Sequence, residues 1–376
     1  MNIGIITTSR ADFGIYIPLL NQIKNKGHQY LLFVGGMHNA VQFGSSYQLI
    51  EKEGFDIAEK IDGLINDDSQ EGVAVSMANT LSGYGKIWSK YKEQLDVVFV
   101  LGDRYEMYAA TSSLVPFNIP IAHLHGGETT LGAIDNKFRH AITMLSDFHF
   151  PSHEVNAEKI KQMTGTSQNT FNVGALGIEG MLQLPTLNFT EFFNQFNFDI
   201  SSPFVLTTIH PETVALEGNA HFINEFLKAV VSIDIPVLCT LPNADPAGSI
   251  IRSALQDFEQ RYPKKLRCFE NLGQKGYFSA MKHCSLMIGN TSSGIIEAAS
   301  FNKYVLNLGD RQKGRLCGDN VIHVPFLADE IGKAFSKYKN KTSATVNPYG
   351  TGETSIKIMN FLSKMHEQGT LKVQMN

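Results

Sequence analysis

The chain alternates between short apolar runs and longer stretches with helical periodicity. Three apolar runs, Ile3–Thr8, Tyr30–Val34 and Val97–Leu101, are strand-sized, and helical patterns follow at Ile15–Lys26 and Glu106–Leu114. Continuous apolar runs of this length are typical of strands in a parallel sheet that helices cover on both faces. The sequence therefore predicts an α/β fold built from doubly wound parallel sheets.

The alternation pauses between Ala175 and Pro203 and restarts at Phe204–Thr208. We therefore predict two Rossmann-like domains, an N-terminal one over residues 1–175 and a C-terminal one over residues 176–350. A last helical pattern within residues 351–376 is expected to pack on either domain. The two domains are expected to enclose a cleft at the carboxyl ends of their sheets, where ligands of such folds bind.

Composition narrows the class of protein. Of the 376 residues, 43% are hydrophobic and 18% charged, and the net charge is −4. These values favour sizeable buried cores and leave no general positive field for nucleic acid, so we predict no nucleic-acid partner. The sequence offers no signal peptide and no apolar run long enough to cross a bilayer, which predicts no membrane association. Four cysteines without a CxxC pair complete the expectation of a cytoplasmic protein.

In the N-terminal half, polar residues follow the predicted strands. Arg10 follows the first strand and could meet an anionic ligand, although Ser9 or Asp12 there could simply cap the next helix. The same loop lacks GxGxxG, so we expect no nicotinamide and no other cofactor. Asp103 and Arg104 follow the Val97–Leu101 strand, where the arginine could bind phosphate or orient the acid.

The densest polar segment runs from His123 to Glu128 and continues to Asp135 and Arg139. Asp135 and Arg139 lie four residues apart near the start of a helix, so they should share one face. His123 and His125 alternate along a strand, which could suggest a metal site. No HExxH or similar pattern completes one, and we predict no metal. Carboxylates and histidines in this number favour acid–base chemistry instead.

In the C-terminal half, His210 follows the first strand and Pro211 ends that strand, which should leave the imidazole at the cleft. The loop 289–294 places small hydroxyl residues, Ser292 and Ser293, at the start of a helix predicted over 295–300. Free N–H groups and the helix dipole favour a diphosphate at such a point. Glu297, in the predicted first turn, could accept hydrogen bonds from ribose hydroxyls.

Taken together, these motifs resemble one known family. The segments are TSRADFG, LGDRYEM, HLHGGE, AIDNKFRHAIT, TIHPET, PNAD, GNTSSGIIEA and NLGDRQKGR, and they span residues 7 to 315. They resemble the UDP-N-acetylglucosamine 2-epimerases, above all the hydrolysing branch of sialic-acid biosynthesis. The resemblance implies two Rossmann domains as in GT-B glycosyltransferases, UDP held mainly by the second domain, and a homodimer or homotetramer.

The resemblance also implies roles for individual residues. Asp103, Asp135 and the HGGE segment, which contains His125 and Glu128, would handle the sugar, with Arg139 beside them. Some relatives have HxEGGE where this chain has His125, so the sequence leaves open whether His125 or Glu128 replaces that acid. The residues implied at the nucleotide are Arg10, Arg104, His210, Asn243, Leu272, Thr291, Ser292, Ser293, Glu297 and Arg311.

The family's reaction is elimination of UDP to give a 2-acetamidoglucal, followed by hydration with inversion at C2. We therefore expect conversion of UDP-GlcNAc and water to ManNAc and UDP. Alternatives are a hydrolysing epimerase for UDP-2,4-diacetamido-2,4,6-trideoxyglucose, a non-hydrolysing epimerase, a GT-B glycosyltransferase and a non-catalytic sugar-nucleotide sensor.

Overall fold

The computed structural model describes residues 1–40, 44–129, 134–212, 216–242 and 248–371. They form two compact units. Unit 1 comprises Met1–Glu128, Asp135–Gly180 and Tyr349–Asn376, and unit 2 comprises Thr129–Ile134 and Met181–Pro348. Residues 176–180 and the C-terminal stretch from Tyr349 therefore belong with the N-terminal half of the chain.

Unit 1 is built on a six-stranded parallel sheet with the order β3-β2-β1-β4-β5-β6. Its strands are β1 (Asn2–Thr7), β2 (Gln29–Val34), β3 (Ile57–Lys60), β4 (Val97–Leu101), β5 (Ile121–Leu124) and β6 (Phe148–Phe150). Its helices are α1 (Arg10–Asn25), α2 (Tyr47–Lys52), α3 (Gln70–Tyr91), α4 (Tyr105–Leu114), α5 (Asp135–Leu145), α6 (Glu154–Thr164), α7 (Leu176–Gln183) and α14 (Thr354–Glu367).

Helices cover both faces of this sheet, as the continuous apolar runs require. Alternate residues of β4 point to opposite faces. Phe99 packs in the core that contains α1 and α14 side chains, whereas Val98 and Val100 pack with Trp88 of α3. The C-terminal helix is tied to α7 as well, because the Glu179 carboxylate accepts hydrogen bonds from the main chain and hydroxyl of Ser355, both at 2.6 Å.

Unit 2 repeats the architecture with a six-stranded parallel sheet of order β12-β11-β10-β7-β8-β9. Its strands are β7 (Val205–Thr208), β8 (Val237–Thr240), β9 (Leu266–Phe269), β10 (Leu286–Gly289), β11 (Val305–Leu308) and β12 (Val321–Val324). Its helices are α8 (Phe189–Phe196), α9 (Asn219–Ser232), α10 (Gly248–Arg261), α11 (Gly273–His283), α12 (Ser292–Ile296) and α13 (Ala328–Tyr338). Both sheets have the Rossmann strand order, which confirms the predicted fold class.

The structure also corrects the prediction locally. The helix expected over 295–300 is instead the five-residue α12 followed by a 3₁₀ helix, Ala298–Phe301. Strand β3 was missed because it is only partly buried and carries charged residues. Among the described residues, no helix has both the length and the apolar character needed to span a membrane.

Two glycines next to or within α3 provide a matched test of this packing. A Cβ on Gly63 would lie 2.8 Å from the Thr80 Cα and 2.9 Å from its backbone nitrogen, so the α3 backbone itself would have to move. A Cβ on Gly85 of the same helix meets no heavy atom within 4 Å. We expect Gly63→Ala to destabilise unit 1 by about 1–3 kcal/mol, and Gly85→Ala to be neutral or stabilising by up to about 1 kcal/mol.

The measurement is urea unfolding followed by the fluorescence of Trp88, the chain's single tryptophan, which is fully buried in unit 1. Equal unfolding midpoints for the two variants would contradict the packing described for α3.

Candidate active site

In unit 1 the strand order reverses between β1 and β4, so the loops after these strands diverge and leave a crevice at the carboxyl edge of the sheet. Arg10 is the first residue of α1, directly after β1, and Asp103 follows β4. His125 follows β5, the next strand along the same edge. The fold therefore brings three predicted site loops to one edge of unit 1.

Asp103 pairs with Arg139 of α5. The Arg139 Nη2 donates to Asp103 Oδ2; the arginine side chain is 2% exposed and the aspartate side chain 25% exposed. Arg139 is one turn after Asp135 on α5 and points inwards. A buried guanidinium with a partly exposed carboxylate fixes the acid at the surface of the crevice.

Arg104, the next residue in sequence, bonds Glu106, and the expectation that it orients Asp103 or binds phosphate stays a prediction. Its Nε and Nη2 donate to the two carboxylate oxygens of Glu106 at 3.2 and 2.9 Å. The reason is local: Arg104 immediately precedes α4, and the Glu106 carboxylate lies in the first turn of that helix. Glu106 is fully buried, so its partner guanidinium stabilises an otherwise costly charge.

His125 and Glu128 form a second pair, in the turn after β5. The His125 Nδ1 lies 2.8 Å from Glu128 Oε1, with side-chain exposures of 11% and 1%. The prediction that His123 and His125 alternate along one strand is wrong, since β5 ends at Leu124 and His125 has φ +63° in the left-handed region. His125 is therefore turned out of the strand pattern towards Glu128.

His123 has a structural role. Its Nε2 lies 2.9 Å from the carbonyl oxygen of Gly102 and its Nδ1 3.2 Å from Thr143 Oγ1. Burial lowers the pKa of His123 to about 3. The neutral imidazole therefore links the loop after β4 to α5.

The loop after β1 is organised by caps. The Ser9 hydroxyl accepts a hydrogen bond from the Asp12 backbone N–H at 3.3 Å, and the Asp12 carboxylate accepts from the Thr8 N–H and hydroxyl. The capping interpretation of Ser9 is thus confirmed. Arg10, between them, is half-buried.

In unit 2 the strand order reverses between β7 and β10, and Asn290 joins the two loops there. Its side-chain Oδ1 accepts from the His210 N–H at 2.7 Å and its Nδ2 donates to the His210 carbonyl at 2.9 Å. The Asn290 carbonyl accepts from Arg311 Nη1 at 3.4 Å and from Gln312 Nε2 at 2.8 Å. The structure thus connects the predicted site residues His210 and Arg311 through one residue that the sequence analysis did not single out.

Thr291 is the N-cap of α12, and its hydroxyl accepts a hydrogen bond from the Ser293 N–H at 3.4 Å. Ser292 and Ser293 are the first two residues of α12 and are half-buried. The prediction that Glu297 lies in the first turn is wrong, because this residue directly follows the five-residue helix α12. Its side chain is buried. Tyr277 of α11 lies beside this region: burial raises the pKa of its phenol, and the hydroxyls of Ser293 and Thr208 act in the opposite direction.

The other predicted nucleotide residues are distributed around these loops. Leu272 is buried at the start of α11, in the loop after β9. The loop after β11 is held by Glu212, whose Oε1 accepts from the Asp310 N–H at 2.8 Å. Asn243 lies outside the described residues. Within the described part of the chain, no group of three or more His, Cys, Asp and Glu side chains could hold a metal ion.

The chain matches a known sequence family over most of its length. The family described as UDP-N-acetylglucosamine 2-epimerase matches residues 21–363. A protein of Campylobacter jejuni named GDP/UDP-N,N'-diacetylbacillosamine 2-epimerase (hydrolyzing) is 34% identical over 341 residues, which cover 90% of this chain and 88% of that protein. The polysialic acid biosynthesis protein P7 of Escherichia coli is 33% identical over 352 residues, covering 92% and 89% of the two chains.

The fold is also found among solved structures. The crystal structure of UDP-GlcNAc 2-epimerase from Neisseria meningitidis bound to UDP-GlcNAc is similar with a TM-score of 0.81 and 17% identity, covering 97% of this chain and all of that one. At this identity the likeness concerns the fold, and it agrees with the two Rossmann-type sheets described above.

The buried histidines at this edge of unit 1 predict an acid-sensitive fold. Burial lowers the pKa of His149, which pairs with His123 across β5 and β6, to about 4 from its usual 6.5. At pH values between these two pKa values, His149 binds a proton in the unfolded chain and does not in the folded chain. Stability should therefore fall as the pH falls from 6.5 towards 4, by about 1.4 kcal/mol per pH unit for each such histidine.

The test is urea unfolding at several pH values in this range, followed by Trp88 fluorescence. His149→Leu should lower the slope of the unfolding free energy against pH by about 1.4 kcal/mol per pH unit, the contribution of one such histidine. The control is His221→Gln on the exposed face of α9, which should leave the slope unchanged. An unchanged slope in His149→Leu would contradict the interpretation.

Proposed function

The chain belongs to the UDP-N-acetylglucosamine 2-epimerase family, and from this premise we propose that it is a hydrolysing UDP-sugar 2-epimerase. Its reaction takes a UDP-linked 2-acetamido sugar and water to the free sugar, inverted at C2, and UDP. One observation carries the proposal: two different proton-transfer groups, Asp103 and His125, lie on neighbouring loops of one sheet edge, each held by its own charged partner, Arg139 and Glu128.

Inversion at C2 explains why two such groups are needed. The proton leaves C2 from one face of the sugar ring and another proton must arrive from the opposite face, so one residue cannot serve both steps. We assign the first step to Asp103, whose carboxylate is partly exposed and fixed by Arg139. Asp135, the first residue of α5, is the alternative base.

Asp103 takes the C2 proton, the electron pair forms the C1–C2 double bond, and UDP leaves C1 with the bonding pair. In the second step the oxygen of water bonds to C1 while C2 receives a proton. The proton taken by Asp103 passes to solvent, which matches the additional negative charge of released UDP.

Unit 2 is proposed to bind UDP. Support comes from the strand-order reversal beside β7, where His210, the hydroxyl loop before α12 and Arg311 are held together by Asn290. Backbone N–H groups, serine hydroxyls and a guanidinium are the donors that a leaving diphosphate requires. Glu297 and Leu272 would lie beside the ribose and the base, as the family resemblance implies.

Two sugars are candidates for the substrate. The name of the Campylobacter jejuni relative favours UDP-N,N'-diacetylbacillosamine, which is the 2,4-diacetamido-2,4,6-trideoxy sugar of the sequence analysis. The motif resemblance and the relative named for polysialic acid biosynthesis favour UDP-GlcNAc. We propose UDP-N,N'-diacetylbacillosamine as the preferred substrate and UDP-GlcNAc as the second candidate. The ratio of their kcat/KM values decides between them.

Product NMR in deuterated water tests the reaction class. We expect each turnover to release one UDP and one free sugar of manno configuration that carries deuterium at C2, because the C2 proton comes from a group exchanging with solvent. The assay contains no acceptor and includes UDP- and GDP-linked forms of both sugars. UDP-ManNAc or its diacetamido counterpart as a stable product would indicate a non-hydrolysing epimerase, and UDP binding without turnover would indicate a sensor.

The assignment of the base is tested by Asp103→Asn and Asp135→Asn. Asp103→Asn should lower kcat by about 10²–10⁴-fold, the usual worth of a positioned general base, and leave the Kd for UDP unchanged. The control is Glu158→Gln on the exposed side of α6, which should retain full activity. If Asp135→Asn abolishes C2 exchange while Asp103→Asn does not, Asp135 is the base.

A further inference from the structure

A continuous hydrogen-bonded chain runs from His125 into the interior of unit 1. Beyond the contact between His125 Nδ1 and Glu128 Oε1, the Ser152 hydroxyl donates to the same Glu128 oxygen at 2.8 Å. The Asn156 amide nitrogen donates to the Ser152 hydroxyl at 3.2 Å. All four side chains are buried. This hydrogen-bonded series has its inner end at Asn156 of α6 and its outer end at the His125 imidazole.

The outer end of this chain is the Nε2 atom of His125. Within the residues that the structure describes, this atom is buried and has no hydrogen-bond partner. Its own side chain is 11% exposed, compared with 1% for Glu128. The imidazole is therefore the less buried member of the pair, and Nε2 is the ring nitrogen that Glu128 does not occupy.

Backbone geometry holds the turn that makes this arrangement. His125 has φ +63° and Gly127 has φ +75°, both in the left-handed region. A Cβ on Gly127 would lie 2.4 Å from the Asn156 carbonyl oxygen, so the turn sits directly against the first turns of α6. A non-glycine residue held at positive φ is costly and persists where the surroundings impose it.

We propose that Glu128 is a positioning residue and that His125 Nε2 is the proton-transfer atom, which this protein has where some relatives have a glutamate. Ser152 and Asn156 are further positioning residues. The inference rests on the proposed function. A carboxylate on Nδ1 fixes the ring and the tautomer and stabilises the imidazolium, the role that the aspartate has in serine hydrolase triads.

The proton transfer balances within the hydration step. The imidazolium Nε2–H gives its proton to C2, where the electron pair of the C1–C2 double bond forms the new C–H bond. The oxygen of water bonds to C1, and the proton that this water loses returns to Nε2. His125 thus ends the step in the state in which it began, and Glu128 keeps its charge throughout.

A double-mutant cycle tests whether Glu128 acts through His125. In the wild-type background, Glu128→Gln should lower kcat by about 10²-fold and Ser152→Ala by about 10-fold, as expected for lost hydrogen bonds to a charged group. The KM and the Kd for UDP should stay within about threefold. In the His125→Ala background the same two changes should have less than a threefold effect, because their target is gone.

Ser146→Ala is the matched control. The Ser146 hydroxyl, just after α5, donates to the carbonyl of Ile142 within α5 and has no hydrogen bond to Glu128 among the described residues, so activity should be unchanged. Effects of Glu128→Gln that multiply with those of His125→Ala would overturn the proposal, because Glu128 would then act on the sugar itself. A raised KM with an unchanged kcat in Glu128→Gln would also overturn the proposal.

Imidazole ¹⁵N NMR of the full chain gives a readout that does not need activity. His125 is assigned from the signal missing in His125→Ala, and the wild type should carry its proton on Nδ1 when the ring is neutral. Glu128→Gln and Ser152→Ala should alter this tautomer signal, and Ser146→Ala should not. Unaltered signals would overturn the positioning role. Absence of turnover by the wild type would instead overturn the proposed function and leave the NMR result standing.

Discussion

The reversal of strand order beside β1 in one sheet and beside β7 in the other is the constraint on which the rest of the structure depends. In a parallel sheet all strands end at one edge, and helices leave to opposite faces only where the order reverses. Loops at that point are separated by a crevice and not covered by their own helices. Asp103 and His210 follow strands at these two points, although about a hundred residues separate them in sequence.

Placing charged groups at such an edge costs desolvation, and the chain offsets it with specific partners. Glu106 is fully buried and is bonded through both oxygens to Arg104. Arg139 is nearly as buried and is bonded to Asp103. The two pairs lie side by side: Glu106 is bonded to Arg104 within one loop and helix start, and the carboxylate of Asp103 is bonded to an arginine that approaches from α5.

The sequence predicts the sheets well because buried parallel strands are encoded locally. The strand at Val97–Leu101 has the predicted bounds, and the loops that follow strands carry the predicted polar residues. Pairings across the fold are not encoded locally. Asp103 lies next to Arg104 in sequence yet pairs with Arg139, 36 residues away. The length of α12 and the position of Glu297 likewise depend on packing that no periodicity reveals.

Asn290 has one local signal in the sequence, its position between a strand and the hydroxyl residues that begin α12. Its role depends on its hydrogen bonds to the His210 main chain, which the local sequence does not encode.

The two units hold their loops by different chemistry, and the difference fits their proposed roles. In unit 1 the supports are charged: Arg139 on Asp103 and Glu128 on His125. A charged support fixes the geometry of the group it holds through a charge-assisted hydrogen bond. In unit 2 the neutral amide of Asn290 bonds the loop after β10 to the loop after β7, the neutral amide of Gln312 bonds Asn290, and the Glu212 carboxylate bonds the loop after β11. The Asn290 amide fixes geometry without adding charge, and in the proposed function the helix start and the arginines attract the diphosphate. A charged residue in place of Asn290 would keep part of the hydrogen bonding but change the field where phosphate is expected to bind. In the proposed function, acid–base chemistry at one sheet and anion binding at the other therefore depend on which residue supports each loop.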